Sequence, residues 1–163
     1  MAERKVTRRI LFVCMGNICR SPTAEGIMRS RLAEQAPDLE LELDSAGTHD
    51  YHVGNPPDRR TVEAARRRGV DLSQLRARQV MAEDFARFDL ILAMDRHNHD
   101  LLEALRPGDA GATLELFLKY AARSGETEVP DPYYGGANGF EYVLDLVEHA
   151  CDGLIAALRS QRR

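Results

Sequence analysis

The chain has 163 residues, a length that fits one domain able to bury roughly two thirds of the surface its unfolded form exposes. Apolar residues make up 44% and charged residues 29%, which excludes a disordered chain and requires no disulfide staple. Lys and Arg number 22 against 26 Asp and Glu, a net charge of −4. No global attraction therefore draws it to nucleic acid or an acidic membrane, and neither is expected as a partner.

The first residues, Met1 to Arg9, are basic, but the apolar run Ile10 to Val13 is too short for a signal-peptide core or a membrane span. The expected compartment is the cytoplasm. Arg8 to Val13 reads as a short strand ending at Cys14, and Pro22 falls where a first-turn proline opens a helix to about Gln35. Leu39 to Ala46 alternates apolar and acidic residues like a half-buried strand, and Gly47 to Pro57 reads as a surface loop. A helix is predicted over Asp58 to Arg68, and a short one over Met81 to Arg87. Asp89 to Met94 reads as a strand covered on both faces. A helix from about Arg96 to Leu105 and a strand over Thr113 to Leu118 follow. A Pro- and Gly-rich stretch from Val129 to Gly139 leads into a long amphipathic helix from about Phe140 to Arg159.

Strands alternating with helices imply right-handed crossovers. The expected architecture is α/β: a single domain over residues 1–163, with a four-stranded parallel sheet and helices on both faces. There is no internal repeat or linker. Ligands of such folds sit beyond the carboxyl ends of the strands, where the loop after Cys14 emerges.

That loop reads CMGNICRS, from Cys14 to Ser21. A cysteine and an arginine separated by five residues at a strand-to-helix junction suit a phosphate. Successive backbone N–H groups of Met15, Gly16, Asn17, Ile18, Cys19, Arg20 and Ser21 can wrap an anion, and the helix start adds its positive end. Gly16 lets the backbone approach closely. Arg20 offers a planar fork to two phosphate oxygens, and its charge favours the thiolate of Cys14 as nucleophile. Ser21 is positioned to donate to that sulfur. A phosphate ester also needs a proton for its leaving oxygen, and Asp131, in VPDPYYGG, is the candidate general acid and then base. Pro130 and Pro132 fix φ on either side, and Tyr133 and Tyr134 supply an aromatic wall.

Other features have plainer readings. His97 and His99 with Asp95 and Asp100 lack the spacing of a metal site and read as a solvated helix face. The run Arg66 to Arg68, with Arg59 and Arg60, reads the same way, steering of phosphorylated substrates being the alternative, and Cys151 lies among Val147, Leu154 and Ile155 as core.

CMGNICRS, the SAGT of Ser45 to Thr48, Arg78–Gln79 and the late DPYY together resemble the low-molecular-weight protein tyrosine phosphatases, over essentially the whole chain. The resemblance implies the Rossmann-like phosphotyrosine phosphatase I fold and hydrolysis of phosphotyrosine through a phosphocysteine on Cys14. Arg20 then binds phosphate, Asp131 is the acid, and neither metal nor cofactor is required. It further implies that Asn17 and Ser45 brace the loop, that Cys19 pairs reversibly with Cys14 on oxidation, and that Tyr51 flanks the mouth. Ile18 stands where relatives acting on phosphoarginine usually have threonine, which favours phosphotyrosine. Leu75, in SQLRARQ, departs from the histidine that many relatives have. The implied partner is a tyrosine-phosphorylated protein, a tyrosine kinase being one such. Rival readings are a thiol-based arsenate reductase, a phosphoarginine phosphatase and a non-catalytic phosphotyrosine-binding module.

Overall fold

The computed structural model describes residues 6–134 and 137–162. Four parallel strands, β1 (Arg9–Cys14), β2 (Glu42–Gly47), β3 (Leu90–Ala93) and β4 (Thr113–Leu116), form one sheet in the order β2-β1-β3-β4. Between and after them run α1 (Arg20–Gln35), α2 (Arg59–Arg67), α3 (Asp84–Arg87), α4 (Arg96–Leu105) and α5 (Ala137–Gln161). The expected parallel sheet with helices on both faces is what the chain forms.

The alternation of side chains along β1 divides the core in two. Ile10 and Phe12 join a cluster with Met28 of α1, Ala65 of α2 and Val147 and Ile155 of α5. Leu11 and Val13 point the other way, toward Phe85, Phe88 and Leu102. All four β1 residues are fully buried, each contributing about 1.5–3 kcal/mol of hydrophobic stabilisation. A strand covered on both faces reads as an unbroken apolar run for this reason.

Several boundaries differ from the sequence expectation. Leu39 is buried, but it packs from a turn, its N–H donating to Ala36 O at 3.0 Å. β2 starts only at Glu42 because its register opposite β1 begins there, Arg9 facing Glu42. β4 stops at Leu116, having run out of β3 partners, and Phe117–Ser124 turns into a 3-10 helix. Helix α1 begins at Arg20, two residues before Pro22. The first N–H groups of any helix lack an intrahelical acceptor, so the proline costs no bond there. Nor is the run Arg66 to Arg68 simply a solvated face. Arg67 pairs with Glu141, and Arg68 with Glu141, Asp145 and Glu148, lacing α2 to α5. Helix α5 also lies tight against the 3-10 helix: a Cβ on Gly153 would fall 2.0 Å from Tyr120 O.

Strand order fixes the site. From β1 the chain crosses to β2 on one side, and β3 lies on the other, so the crevice at the carboxyl end of β1 is where the direction of winding reverses. Cys14 is the last residue of β1 and opens into that crevice.

Candidate active site

The loop from Cys14 to α1 is shaped by what holds its carbonyls. Cys14 O accepts from Thr48 N–H (2.9 Å), Met15 O from His49 N–H (3.0 Å) and Ile18 O from Asp58 N–H (2.8 Å). Cys19 O accepts from Thr23 N–H and its hydroxyl, at 3.2 and 2.7 Å. In a trans peptide the N–H points opposite the carbonyl. With these carbonyls turned outward, the amides of Met15, Gly16, Cys19 and Arg20 turn toward the hollow. The start of α1 is left open as well, since Cys19 at its cap makes no side-chain capping bond. Gly47 is needed at the back, where a Cβ would stand 2.7 Å from Met15 O and 3.2 Å from Asn17 N.

Asn17 turns the loop in the left-handed region, φ 57°, a conformation asparagine tolerates better than most residues. It is almost wholly buried, and its amide works in two directions. Nδ2 donates to Ser21 Oγ at 2.8 Å, and Oδ1 accepts from Arg78 N–H at 3.0 Å. Since Ser21 Oγ already accepts that proton, its own hydrogen is free to go to Cys14 Sγ, 3.0 Å away, or to Ala46 O at 3.4 Å. Cys14 Sγ also receives Asn17 N–H at 3.3 Å.

Arg20 is buried with its charge intact. Nη1 donates to Asp95 Oδ2 (2.6 Å) and Val129 O (3.1 Å), while Nη2 stands 3.7 Å from Asp131 Oδ2. Burial alone would lower its pKa, but Cys14, Asp95 and Asp131 more than reverse that and raise it. One edge of the fork is thus spent on fixing the guanidinium, and the other faces the hollow.

Asp131 is held from both sides. Val129 N–H donates to Met94 O at 2.8 Å while its carbonyl takes Arg20. Beyond the aspartate, Tyr133 N–H donates to Asp131 Oδ1 at 3.0 Å, in a short 3-10 turn over Pro132–Tyr134. The second oxygen, Oδ2, is the one directed at Arg20. Cys14, Met15, Gly16, Ile18, Cys19, Arg20, Tyr51, His52, Asp131 and Tyr133 line one cavity of about 220 Å³. Tyr51, 69% exposed, stands at its rim, stacked on His49 with centroids 5.1 Å apart. The side chain of Tyr134 lies outside the described part of the structure.

Two expectations need correction. Ser45 does not reach the loop, because its hydroxyl donates to the buried Glu25 Oε1 at 2.8 Å, a carboxylate also held by Arg29. The strand register explains this: Ser45 lies opposite Phe12, and Gly47 is the residue opposite Cys14. Leu75 packs on the core, and the backbone of Arg78 supplies the outside support to Asn17. Asp95, read as part of a solvated helix face, instead grips Arg20 while capping α4 through Asn98 N–H at 2.7 Å. An acid just past the carboxyl end of a strand was the available signal. His52 carried none: it lies against Gly16, where a Cβ would meet its Cδ2 at 3.0 Å. Among the described residues no group of His, Cys, Asp and Glu could hold a metal ion.

Cys19 and Cys14 are both free thiols, and burial, only partly offset by Thr61, pushes Cys19 up to about 12. Cys151 is fully buried and likewise raised by its burial.

A cysteine at the end of the first strand, ringed by inward amides and one fixed guanidinium, defines a small α/β phosphatase. The chain belongs to the low molecular weight phosphotyrosine protein phosphatase family, whose sequence model matches residues 9–163. It is 40% identical over 153 residues to the human low molecular weight phosphotyrosine protein phosphatase, covering 93% of this chain and 95% of that one. To the Bacillus subtilis low molecular weight protein-tyrosine-phosphatase YfkJ it is 39% identical over 154 residues, covering 94% and 97%. A crystal structure of a protein tyrosine phosphatase from Entamoeba histolytica, with Hepes in its active site, is similar with a TM-score of 0.90 at 38% identity, over 96% of this chain and all of that one.

Proposed function

We propose that the protein hydrolyses phosphotyrosine on proteins, a tyrosine-phosphorylated kinase being one such substrate, through a phosphocysteine intermediate. The observation that carries this reading is the convergence of Cys14 Sγ, Arg20 and Asp131 on one cavity. The thiolate of Cys14 attacks phosphorus in line, the phosphorus–oxygen bond to the phenol breaks, and Asp131 gives its proton to the departing oxygen. Water then attacks the phosphocysteine, losing a proton to Asp131, and inorganic phosphate leaves with the thiolate restored. Ser21 donates to the sulfur as it departs, which is the direction left open to its hydroxyl by Asn17. Loop amides and Arg20 hold the equatorial oxygens in both steps, so the positive field comes from the protein itself and no metal is required.

Tyr51 and Tyr133 stand at the mouth to flank the aryl ring, and the apolar Ile18 suits a phenyl ester. Cys19 is the thiol that would capture Cys14 after peroxide converts it to the sulfenic acid, releasing water as the disulfide forms. Recovery of peroxide-treated enzyme by a dithiol, measured as a fraction of each protein's own starting activity, should be lost in Cys19→Ala. On this reading the working compartment is the cytoplasm, where thiols stay reduced. No helix of the described residues is long and apolar enough to cross a membrane.

A thiol-based arsenate reductase would need a further cysteine on a mobile segment. Cys151, the remaining one, is fully buried within α5. The deciding experiment measures phosphate release from phosphotyrosine, phosphoarginine and phosphoserine peptides with chelator present, for the parent and Cys14→Ser. Release from phosphotyrosine above all, abolished by Cys14→Ser while inorganic phosphate still binds, is the expected result. Hydrolysis at the parent rate by Cys14→Ser would refute the mechanism.

A further inference from the structure

We propose that Arg60 is a positioning residue for the acid step, a strut that ties the turn carrying Asp131 to the phosphate loop. The inference rests on the reading of Asp131 as general acid. It begins at Asp58, whose N–H donates to Ile18 O in the loop at 2.8 Å and whose carboxylate caps α2 through Arg60 N–H at 2.8 Å. The Arg60 guanidinium meets that carboxylate fork to fork, Nε on Oδ1 and Nη2 on Oδ2, each at 3.2 Å. Nη2 also donates to Tyr133 O at 3.0 Å. The planar head lies over two rings, 5.3 Å from the centroid of Tyr133 and 4.9 Å from that of Phe140 near the start of α5. Tyr133 N–H in turn holds Asp131 Oδ1 at 3.0 Å, which leaves Oδ2 for the cavity.

From the loop to the acid, then, one path runs through Asp58, Arg60 and Tyr133, beside the direct approach of Arg20 to Asp131. It secures the far side of Asp131, as Val129 secures the near side. A lysine reproduces this only in part, since its compact ammonium cannot meet both carboxylate oxygens in the paired geometry of a guanidinium. Burial tends to raise the Asp58 carboxyl, but the bonds from Arg60 outweigh it and hold it low. The pair therefore stays charged through neutral and alkaline pH, and the strut does not itself titrate in an assay there.

A displaced acid shows in how strongly the rate depends on the leaving group. Good leaving groups such as p-nitrophenol need little protonation, and phenol needs much. The test measures kcat/KM for a series of aryl phosphates between these two. Arg60→Ala is expected to lose about tenfold more on phenyl phosphate than on p-nitrophenyl phosphate, with inhibition by inorganic phosphate within about twofold of the parent. Arg60→Lys should recover part of the loss. In an Asp131→Asn background Arg60→Ala should add nothing to the leaving-group dependence. Should Arg60→Ala fail to fold, Arg60→Gln is read on the same slope. A folded Arg60 variant that keeps the parent's slope, while Asp131→Asn steepens it, overturns the strut and leaves the acid intact. If Asp131→Asn leaves the slope unchanged as well, the acid reading itself falls and takes the strut with it.

Discussion

Replacing Asn17 with alanine removes both bonds of the loop's turning residue without touching the sulfur or the guanidinium. Oδ1 and Nδ2 leave behind the N–H of Arg78 and a hydroxyl of Ser21 that loses its donor. Ser21 is completely buried and Asn17 is 3% exposed, so solvent replaces these partners poorly. Two lost bonds at about 1 kcal/mol each, plus about 1 kcal/mol for placing alanine at a positive φ, sum to about 3 kcal/mol. For a domain of this size that lowers the melting temperature by roughly 6–12 °C. Asn17→Gly loses the same bonds without the backbone strain, so the difference between the two variants, about 1 kcal/mol, isolates the left-handed turn. Urea unfolding and thermal melts give the stabilities, and steady-state hydrolysis of p-nitrophenyl phosphate gives the activity. Both variants should also lose turnover, because Ser21 is then no longer committed as a donor to sulfur. An Asn17→Ala protein that melts within about 2 °C of the parent and turns over as fast would refute the brace.

Three further outcomes follow from the geometry. Gly153→Ala drives a methyl into Tyr120 O, a backbone atom that cannot swing aside. It should therefore cost about 1–3 kcal/mol in unfolding experiments, while the folded enzyme keeps its kcat. Asp95→Asn removes the charge that grips Arg20 Nη1, so inhibition by inorganic phosphate should weaken about tenfold as the guanidinium loses its fixed orientation. The carboxyl of Asp58 is lower in the folded protein than in the unfolded chain, so its contribution to stability is full above about pH 4 and is lost as the pH falls through the folded value. Asp58→Asn should accordingly flatten the acid limb of the stability curve below about pH 4 and leave the neutral and alkaline parts parallel to the parent's, as read by melts across pH.

Much of the molecule is legible in the sequence because the relevant rules are local. The continuous apolar run through Asp89 to Met94 announces a strand buried on both faces, as β3 is, and the loop of CMGNICRS is written in contiguous residues. Cys14, Asn17, Arg20 and Ser21 meet because strand, turn and helix succeed one another without a gap. The place of Asp131 was readable too, since Pro130 and Pro132 mark a constrained turn whatever surrounds it.

What the sequence could not determine is everything set by how distant segments register against each other. Ser45 is two residues short of the loop because Gly47 pairs with Cys14, and a shift of one position would turn every side chain of β2 to the opposite face. Asp95 reaches Arg20 across 75 residues because β3 lies beside β1. Arg60 reaches Tyr133 across 73 because α2 returns beneath α5. Short-range periodicity fixes which residues are buried, but it carries no information on which buried edge lies next to which. That is decided only when the sheet order is chosen and the two faces are packed.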